Sequence, residues 1–221
     1  MRAGIVAVHT GKVGELAYRG GIKASAIAKQ AVAGRVHVGP LGLDGDEQGD
    51  TDHHGGRTQA ICCYPSEHYP YWQQRLGRQI PAAAFGENFV TEEVTEETAC
   101  IGDVFRIGRH DGIVVQITQP RAPCATLAAY LKEPQMAAWA QENGYTGWYL
   151  SVLQSGFVQA GDAMVLEERR GTGVTVMDVN RALWLRGRDE DLTSRVLAED
   201  LLLGSWRNKL RKFSAMTAAA V

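Results

Sequence analysis

The sequence is short of the features that mark secreted, membrane-spanning or nucleic-acid-coating proteins. Its 221 residues include only four cysteines: the adjacent pair Cys62 and Cys63, and the distant singles Cys100 and Cys124. That spacing makes neither a disulfide framework nor a CxxC zinc box. No stretch approaches the roughly 18 consecutive apolar residues of a membrane helix. The opening Met-Arg-Ala-Gly-Ile-Val lacks the apolar core of a secretory signal. A cytoplasmic protein with reduced thiols and no membrane partner is therefore expected. Charge of one sign is missing too: 23 Lys+Arg against 25 Asp+Glu leave a net charge of −2, too little for a global field toward nucleic acid. Proline is sparse at seven residues, whereas glycine is abundant at 25. That is well above the usual share of about 7% and favours a turn-rich β architecture over a helical bundle. With 45% of its residues hydrophobic, a chain of this length can bury a core without covalent staples.

Residues 1–168 read as short strands between glycine turns. Apolar, β-branched stretches at 4–8, 25–32, 35–38 and 59–64 are expected strands. Residues 103–107 and 113–118 form an expected hairpin around Asp111-Gly112, and 148–153 and 163–167 close the series. Ser66 is an expected N-cap, with Tyr69 and Trp72 at helical spacing as far as about residue 76. Short helices are expected at 124–131 and 135–142. Such a pattern points to a closed or partly closed barrel, mainly β with some α. Residues 169–221 change texture into three helical stretches. The first is capped by Thr175 and stopped by Gly187, the second spans 189–200, and the third starts at Gly204-Ser205. This three-helix C-terminal domain is too small to be comfortable alone.

Three segments carry candidate chemistry. The acidic loop 42–56 places Asp44, Asp46, Gln48, Asp50 and Asp52 like the front of an EF-hand, but its twelfth position is Gly55, where calcium needs a glutamate. It ends in Asp52-His53-His54-Gly55-Gly56-Arg57, where paired glycines admit close backbone approach and two imidazoles beside a cation suit an anion. Gln119-Pro120-Arg121-Ala122-Pro123-Cys124 follows a strand and precedes a helix. The helix N-terminus and Arg121 would favour a Cys124 thiolate there, and the prolines would stiffen the turn. Phe85-Gly86-Glu87-Asn88-Phe89 is a polar cluster, or equally a turn with a left-handed Asn. Cys62, Cys63 and Cys100 lie in apolar surroundings and read as small buried hydrophobes.

Together these segments, with Gly42-Leu43-Asp44-Gly45-Asp46 and Ile101-Gly102-Asp103, resemble MOSC-domain proteins in order and spacing, and with the helical tail the chain looks like the YiiM branch of that family. Each motif alone is weak, but their conjunction covers nearly the whole chain. The resemblance implies a β-barrel that binds the molybdenum cofactor (molybdopterin), with Cys124 as metal ligand. It also implies reduction of N-hydroxylated compounds such as N-hydroxylaminopurines and amidoximes. The cofactor's phosphate and pterin would be expected on Gly55, Gly56, Arg57, Asn88 and Arg121, with His54 or Glu87 as proton donors. Relatives often carry a Pro-Asp-Arg-like segment after His-Gly-Gly, whereas this chain has Arg57-Thr58-Gln59. No Gly-x-Gly-x-x-Gly follows a strand and no flavin or iron–sulfur signature is present, so electrons would come from a separate donor protein.

Two further readings use the same residues: a carrier that holds and passes on the cofactor, and a thiol transferase in which Cys124 and His54 pair as nucleophile and base with Glu87 orienting the imidazole. The cations Arg207, Lys209, Arg211 and Lys212 on the last helix suggest docking of the electron donor, or capping of the barrel, rather than DNA binding. Oligomeric state has no sequence signature here. Because Cys62 and Cys63 read as structural, replacing either with alanine should leave reductase activity within a few-fold. Complete loss on either substitution would overturn that assignment.

Overall fold

The computed structural model describes residues 2–52 and 54–218. The chain begins with strand β1 (Arg2–Thr10), a hairpin of β2 (Gly14–Tyr18) and β3 (Gly21–Ser25), and short strands β4 (Gln30–Ala31), β5 (Val36–Gly39) and β6 (Gly42–Leu43). A 3-10 turn at Arg57–Gln59 leads into β7 (Ile61–Pro65), helix α1 (Tyr69–Leu76), and strands β8 (Phe89–Glu92), β9 (Asp103–Ile107) and β10 (Ile113–Pro120). Helices α2 (Ala125–Tyr130) and α3 (Met136–Asn143) precede β11 (Trp148–Gln154), β12 (Gly156–Val158) and β13 (Ala163–Arg169). Helices α4 (Val176–Trp184), α5 (Glu190–Leu197) and α6 (Gly204–Ala218) follow. None of the described helices is long and apolar enough to cross a membrane.

Seven strands close into a barrel in the order β1-β8-β7-β11-β10-β9-β13, with β13 pairing back onto β1. The β7–β8 pair is parallel and the other neighbours are antiparallel. Closure removes the exposed edges that a long open sheet would present. The mainly-β fold with added helices expected from the glycine-rich sequence is the fold observed. Phe89, Phe105, Ile107, Ile117 and Trp148 fill the interior at 0–1% exposure. Val176, Val179, Ala182, Val196 and Leu210 of the C-terminal helices belong to the same apolar cluster. A second cluster, built on Tyr64, Trp72, Phe85, Leu127 and Met136, lies under α1, α2 and α3.

Two expected elements are corrected. Residues 25–32 are not one strand: β3 ends at Ser25, and the chain bends before the two-residue β4. Arg19-Gly20 is the turn of the β2–β3 hairpin, with Gly21 already paired to Tyr18, and both turn residues take positive φ, 49° and 79°, as the twist of a tight hairpin demands. Helix α1 begins at Tyr69 rather than after Ser66. Ser66 opens a 3-10 turn, and its hydroxyl meets Glu67 instead of capping a helix.

The C-terminal helices are tied to the barrel by polar contacts. Thr175 and Asp178 form a reciprocal capping box at the start of α4. Buried Asn180 donates to the Gly144 carbonyl at 3.0 Å and to Thr146 Oγ1 at 2.9 Å. Next in the chain, Gly147 has φ 72° and lies so close to the Cys63 carbonyl that an added Cβ would sit 2.3 Å from its oxygen. Trp206 on α6 donates from Nε1 to Gln119 Oε1 at 2.9 Å. Replacing Asn180 with alanine would leave buried acceptors unpaired, so urea denaturation should show a stability loss of about 1–3 kcal/mol. No change would mean that this bridge contributes nothing.

Candidate functional site

The ends of β1 and β10 and the starts of β7, β8 and β11 meet at one rim of the barrel, as the registers Gln119↔Tyr149, Tyr149↔Cys62, Cys63↔Phe89 and Val8↔Phe89 require. A cleft with about 730 Å³ of empty space, counted out to its mouth, opens at this rim. The prolines at 120 and 123 hold the chain between β10 and α2, and the Arg121 amide donates to the Gly147 carbonyl at 3.0 Å. Cys124 is thereby set at the N-cap of α2, partly exposed and with extended backbone. Burial pushes its thiol up, but the hydrogen bond with His54, the charge of Arg121, the Leu127 amide and the Thr126 hydroxyl outweigh burial and bring the pKa down to about 6.

Arg121 is 7% exposed and lines the same cleft. Its side chain is hydrogen-bonded to Tyr149, yet its Nη1 is buried with no partner. A charged nitrogen left unpaired in the wall of a cleft is expensive unless a ligand completes it. The same cleft is lined by a second charged group, the buried ion pair of Lys29 and Asp46. The Asp46 carboxylate also accepts from the Gly11 amide at 2.8 Å and from Asn88 Nδ2 at 2.9 Å. The aspartate that looked like a cation ligand in the acidic loop is thus used as the loop's internal anchor. The β2–β3 hairpin covers one side of the mouth, where Lys23 reaches Thr126 Oγ1 at 3.3 Å and Asp50 at 3.6 Å.

The expected site residues separate into distinct positions. His54, Gly55, Asn88, Arg121 and Cys124 line the cleft together. His53 lies outside the described residues. Gly56 and Arg57 are exposed at the 3-10 turn and do not line the cleft. Glu87 faces the other way: it is fully buried, accepts from the Tyr69 hydroxyl and from the Phe85 amide, and contacts neither His54 nor Cys124 through any hydrogen bond among the described residues. Burial raises its pKa, against the lowering effect of those bonds and of Arg121. The turn explains the reversal, since Gly86 at φ 74° sends the next side chain inward and leaves Gly86 and Asn88 on the cleft side. All of the Asn88 amide's bonds are internal: Oδ1 accepts from the Cys62 amide and Nδ2 donates to His9 O and Asp46.

Strand alternation splits the cysteine pair. Cys63 points into the core, while Cys62 forms part of the cleft wall. Burial nevertheless lifts Cys62 to about 12, so it stays a neutral thiol. Lys29, Lys23 and Tyr149 are cleft residues that the motifs did not single out. Lys29 sits in the segment taken for a strand, and nothing in its neighbours marks it as buried.

The MOSC domain family matches residues 50–165. The chain is 39% identical to protein YiiM of Escherichia coli over 210 residues, covering 94% of this chain and 91% of that one. It is 38% identical to the uncharacterized protein YflK of Bacillus subtilis over 211 residues, covering 96% and 94%. A protein of Gibberella moniliformis named "Reductase" is 31% identical over 217 residues, which are 94% of this chain but 37% of that protein. Among solved structures, YiiM from Geobacillus stearothermophilus matches with a TM-score of 0.78 at 31% identity, covering 96% and 99% of the two chains. The chain belongs to the MOSC-domain family, a family associated with the molybdenum cofactor. Within that family it is a protein of the YiiM branch.

The lowered Cys124 pKa has a direct consequence in protein free of cofactor. Alkylation by iodoacetamide should be selective for Cys124, with a rate that rises through pH of about 6 and then levels off. His54→Ala removes a lowering contact and should move that midpoint upward. A midpoint near the ordinary thiol value in the unaltered protein would contradict the geometry.

Proposed function

We propose that this protein is a molybdenum-cofactor-dependent reductase of N-hydroxylated compounds, N-hydroxylaminopurines and amidoximes among them. Cys124 would be the protein ligand to the metal, and a separate protein would donate the electrons. The observation that carries the reading is the Cys124 sulfur, a soft donor with its pKa brought down to about 6, in one cleft with the unpartnered Nη1 of Arg121. A thiolate suits a transition metal otherwise held by the sulfurs of the pterin. The orphaned guanidinium nitrogen suits an anionic oxygen of the cofactor. The residues therefore fit the group. The reductase name of the fungal relative agrees with an oxidoreductase, although it belongs to a protein of which the matched part is 37%.

When bound, the cofactor supplies the electron-pair chemistry that cleaves the N–O bond. Overall, the hydroxylamine takes up an electron pair and two protons and leaves as amine and water. The chain's own residues have three tasks in this reaction. Cys124 holds the metal side of the cleft, and Arg121 offsets negative charge there. His54, bonded to the Cys124 sulfur and bordering the open groove, would pass a proton to the departing hydroxyl oxygen. Glu87 instead braces Tyr69 and the turn that presents Gly86.

The hydrogen bond between Cys124 and His54 also favours a second reading, a metal-free thiol transferase built on a nucleophile–base pair. In that reading Glu87 would not orient the imidazole, because its carboxyl accepts from the Tyr69 hydroxyl and the Phe85 amide. Molybdenum and pterin content of protein from cofactor-producing cells, measured beside Cys124→Ser, separates the two. The reductase reading expects near-stoichiometric metal in the wild type and turnover of an N-hydroxylated substrate with an artificial reductant. It expects loss of both, or a changed absorption spectrum, in the variant. Metal-free protein with full thiol-transfer activity would sink it, and metal without turnover would leave a carrier.

A further inference from the structure

A second large cleft, with about 960 Å³ of empty space, lies where α4 and α6 face the Arg121–Pro123 turn. Trp184, Arg186, Trp206, Lys209 and Phe213 line it on the helical side, and Arg121 borders it on the barrel side. Among the described residues no aspartate or glutamate lines this cleft. On the same helices Arg181 pairs with Glu97 and Arg207 with Asp200, and on α5 Arg195 pairs with Asp178, whereas Arg211 meets only the Asn208 side chain. Arg186 and Lys209 have no carboxylate partner among the described residues. Both instead rest over the ring of Phe213, at 5.2 and 5.9 Å from its centroid. Trp184 is 48% exposed, an unusual place for a large indole unless it serves contact. Trp206 is fixed by its bond to Gln119.

This cleft is continuous with the Cys124 cleft. A shallower groove joins them, sharing His54, Gln59 and Tyr149 with the first and Trp206 and Lys209 with the second. Moving outward from the thiolate, a ligand would meet His54, then the aromatic pair Tyr149 and Trp206, then the cations Lys209 and Arg186. Aromatic faces favour a flat heterocycle. Two uncompensated cations beyond them, with no acid nearby, favour a phosphate. A neutral free base would leave this outer end unused.

We propose that the cleft between α4, α6 and the Arg121–Pro123 turn binds the phosphate end of a nucleotide, so that the N-hydroxylated substrate is taken as a nucleoside 5′-monophosphate rather than as the free base. The substrate assignment rests on the reductase reading, whereas the nucleotide site does not. The phosphate chemistry could also come from the cofactor, so the test needs arms that tell the two apart. Equilibrium titration of the purified protein with adenosine 5′-monophosphate and with adenine, followed by calorimetry and tryptophan fluorescence, gives the first arm. The nucleotide should bind at least about tenfold more tightly than the base, an advantage that charge-assisted bonds to phosphate supply. The double variant Arg186→Gln, Lys209→Gln should lose that advantage, keep adenine binding, and retain wild-type circular dichroism and molybdenum content.

Equal affinity for nucleotide and base, or nucleotide binding untouched by the double variant, would overturn the proposal. Loss of molybdenum and pterin from the variant would also overturn it, by assigning the cations to the cofactor's own phosphate. In turnover, the N-hydroxylated nucleotide should show a lower KM than its free base, and the double variant should erase the difference. If the binding pattern holds but no N-hydroxylated substrate turns over, the reductase reading fails while the nucleotide site stands.

Discussion

A guanidinium held out of water at the barrel rim is the constraint on which the site depends. Arg121 follows the last residue of β10, and both its position and its rigidity come from the chain around it: Pro120 before it, Pro123 after it, and its own amide bonded to Gly147. Burying a cation is costly unless its protons are taken up. Here Tyr149 takes one contact, and Cys124 and Cys62 are close enough to feel the charge. One nitrogen is left without a partner. A folded protein keeps such a group when something else completes it, and Arg121 borders the cleft of Cys124 on one side and that of the C-terminal helices on the other.

The same cation accounts for the contrast between the cysteines. Cys62 and Cys124 both line the cleft and both lie near Arg121, yet burial dominates at Cys62 and leaves it protonated, while the bonds from His54, Leu127 and Thr126 tip Cys124 toward thiolate. Local hydrogen bonds, rather than proximity to positive charge alone, select the reactive sulfur. Gly147 links this chemistry to the scaffold. Its positive φ and close approach to Cys63 let the 121–124 segment sit against β7 and β11, and its amide is held by the buried Glu96 carboxylate. Glu96 in turn meets His68 at 2.6 Å, so the rim is connected to the base of α1.

Much of this was legible in the sequence, for identifiable reasons. The hairpin around Asp111-Gly112, the Thr175 cap and the strand at 148–154 are written in local patterns, because turn chemistry and alternation act over a few residues. The Pro-Arg-Ala-Pro-Cys segment announced a thiol in a stiff turn beside the positive charge of Arg121. The direction of Glu87 was not legible, since one glycine at positive φ decides which of two adjacent polar side chains faces the cleft. Lys29 was hidden because its partner Asp46 lies in another loop, and only tertiary folding brings the two together. The adjacency of residues 54 and 124 was open for the same reason. The clefts lined by Trp206, Lys209 and Arg186 depend on how α6 docks against the barrel, which no local pattern encodes.

The most direct test of the central claim, that the thiolate held by His54 and Arg121 is a metal-binding sulfur, is molybdenum K-edge X-ray absorption on the cofactor-loaded protein and its Cys124→Ser variant. The account predicts sulfur coordination in the wild type beyond what the pterin itself provides, and its disappearance in the variant. Identical sulfur coordination in the two proteins would contradict it.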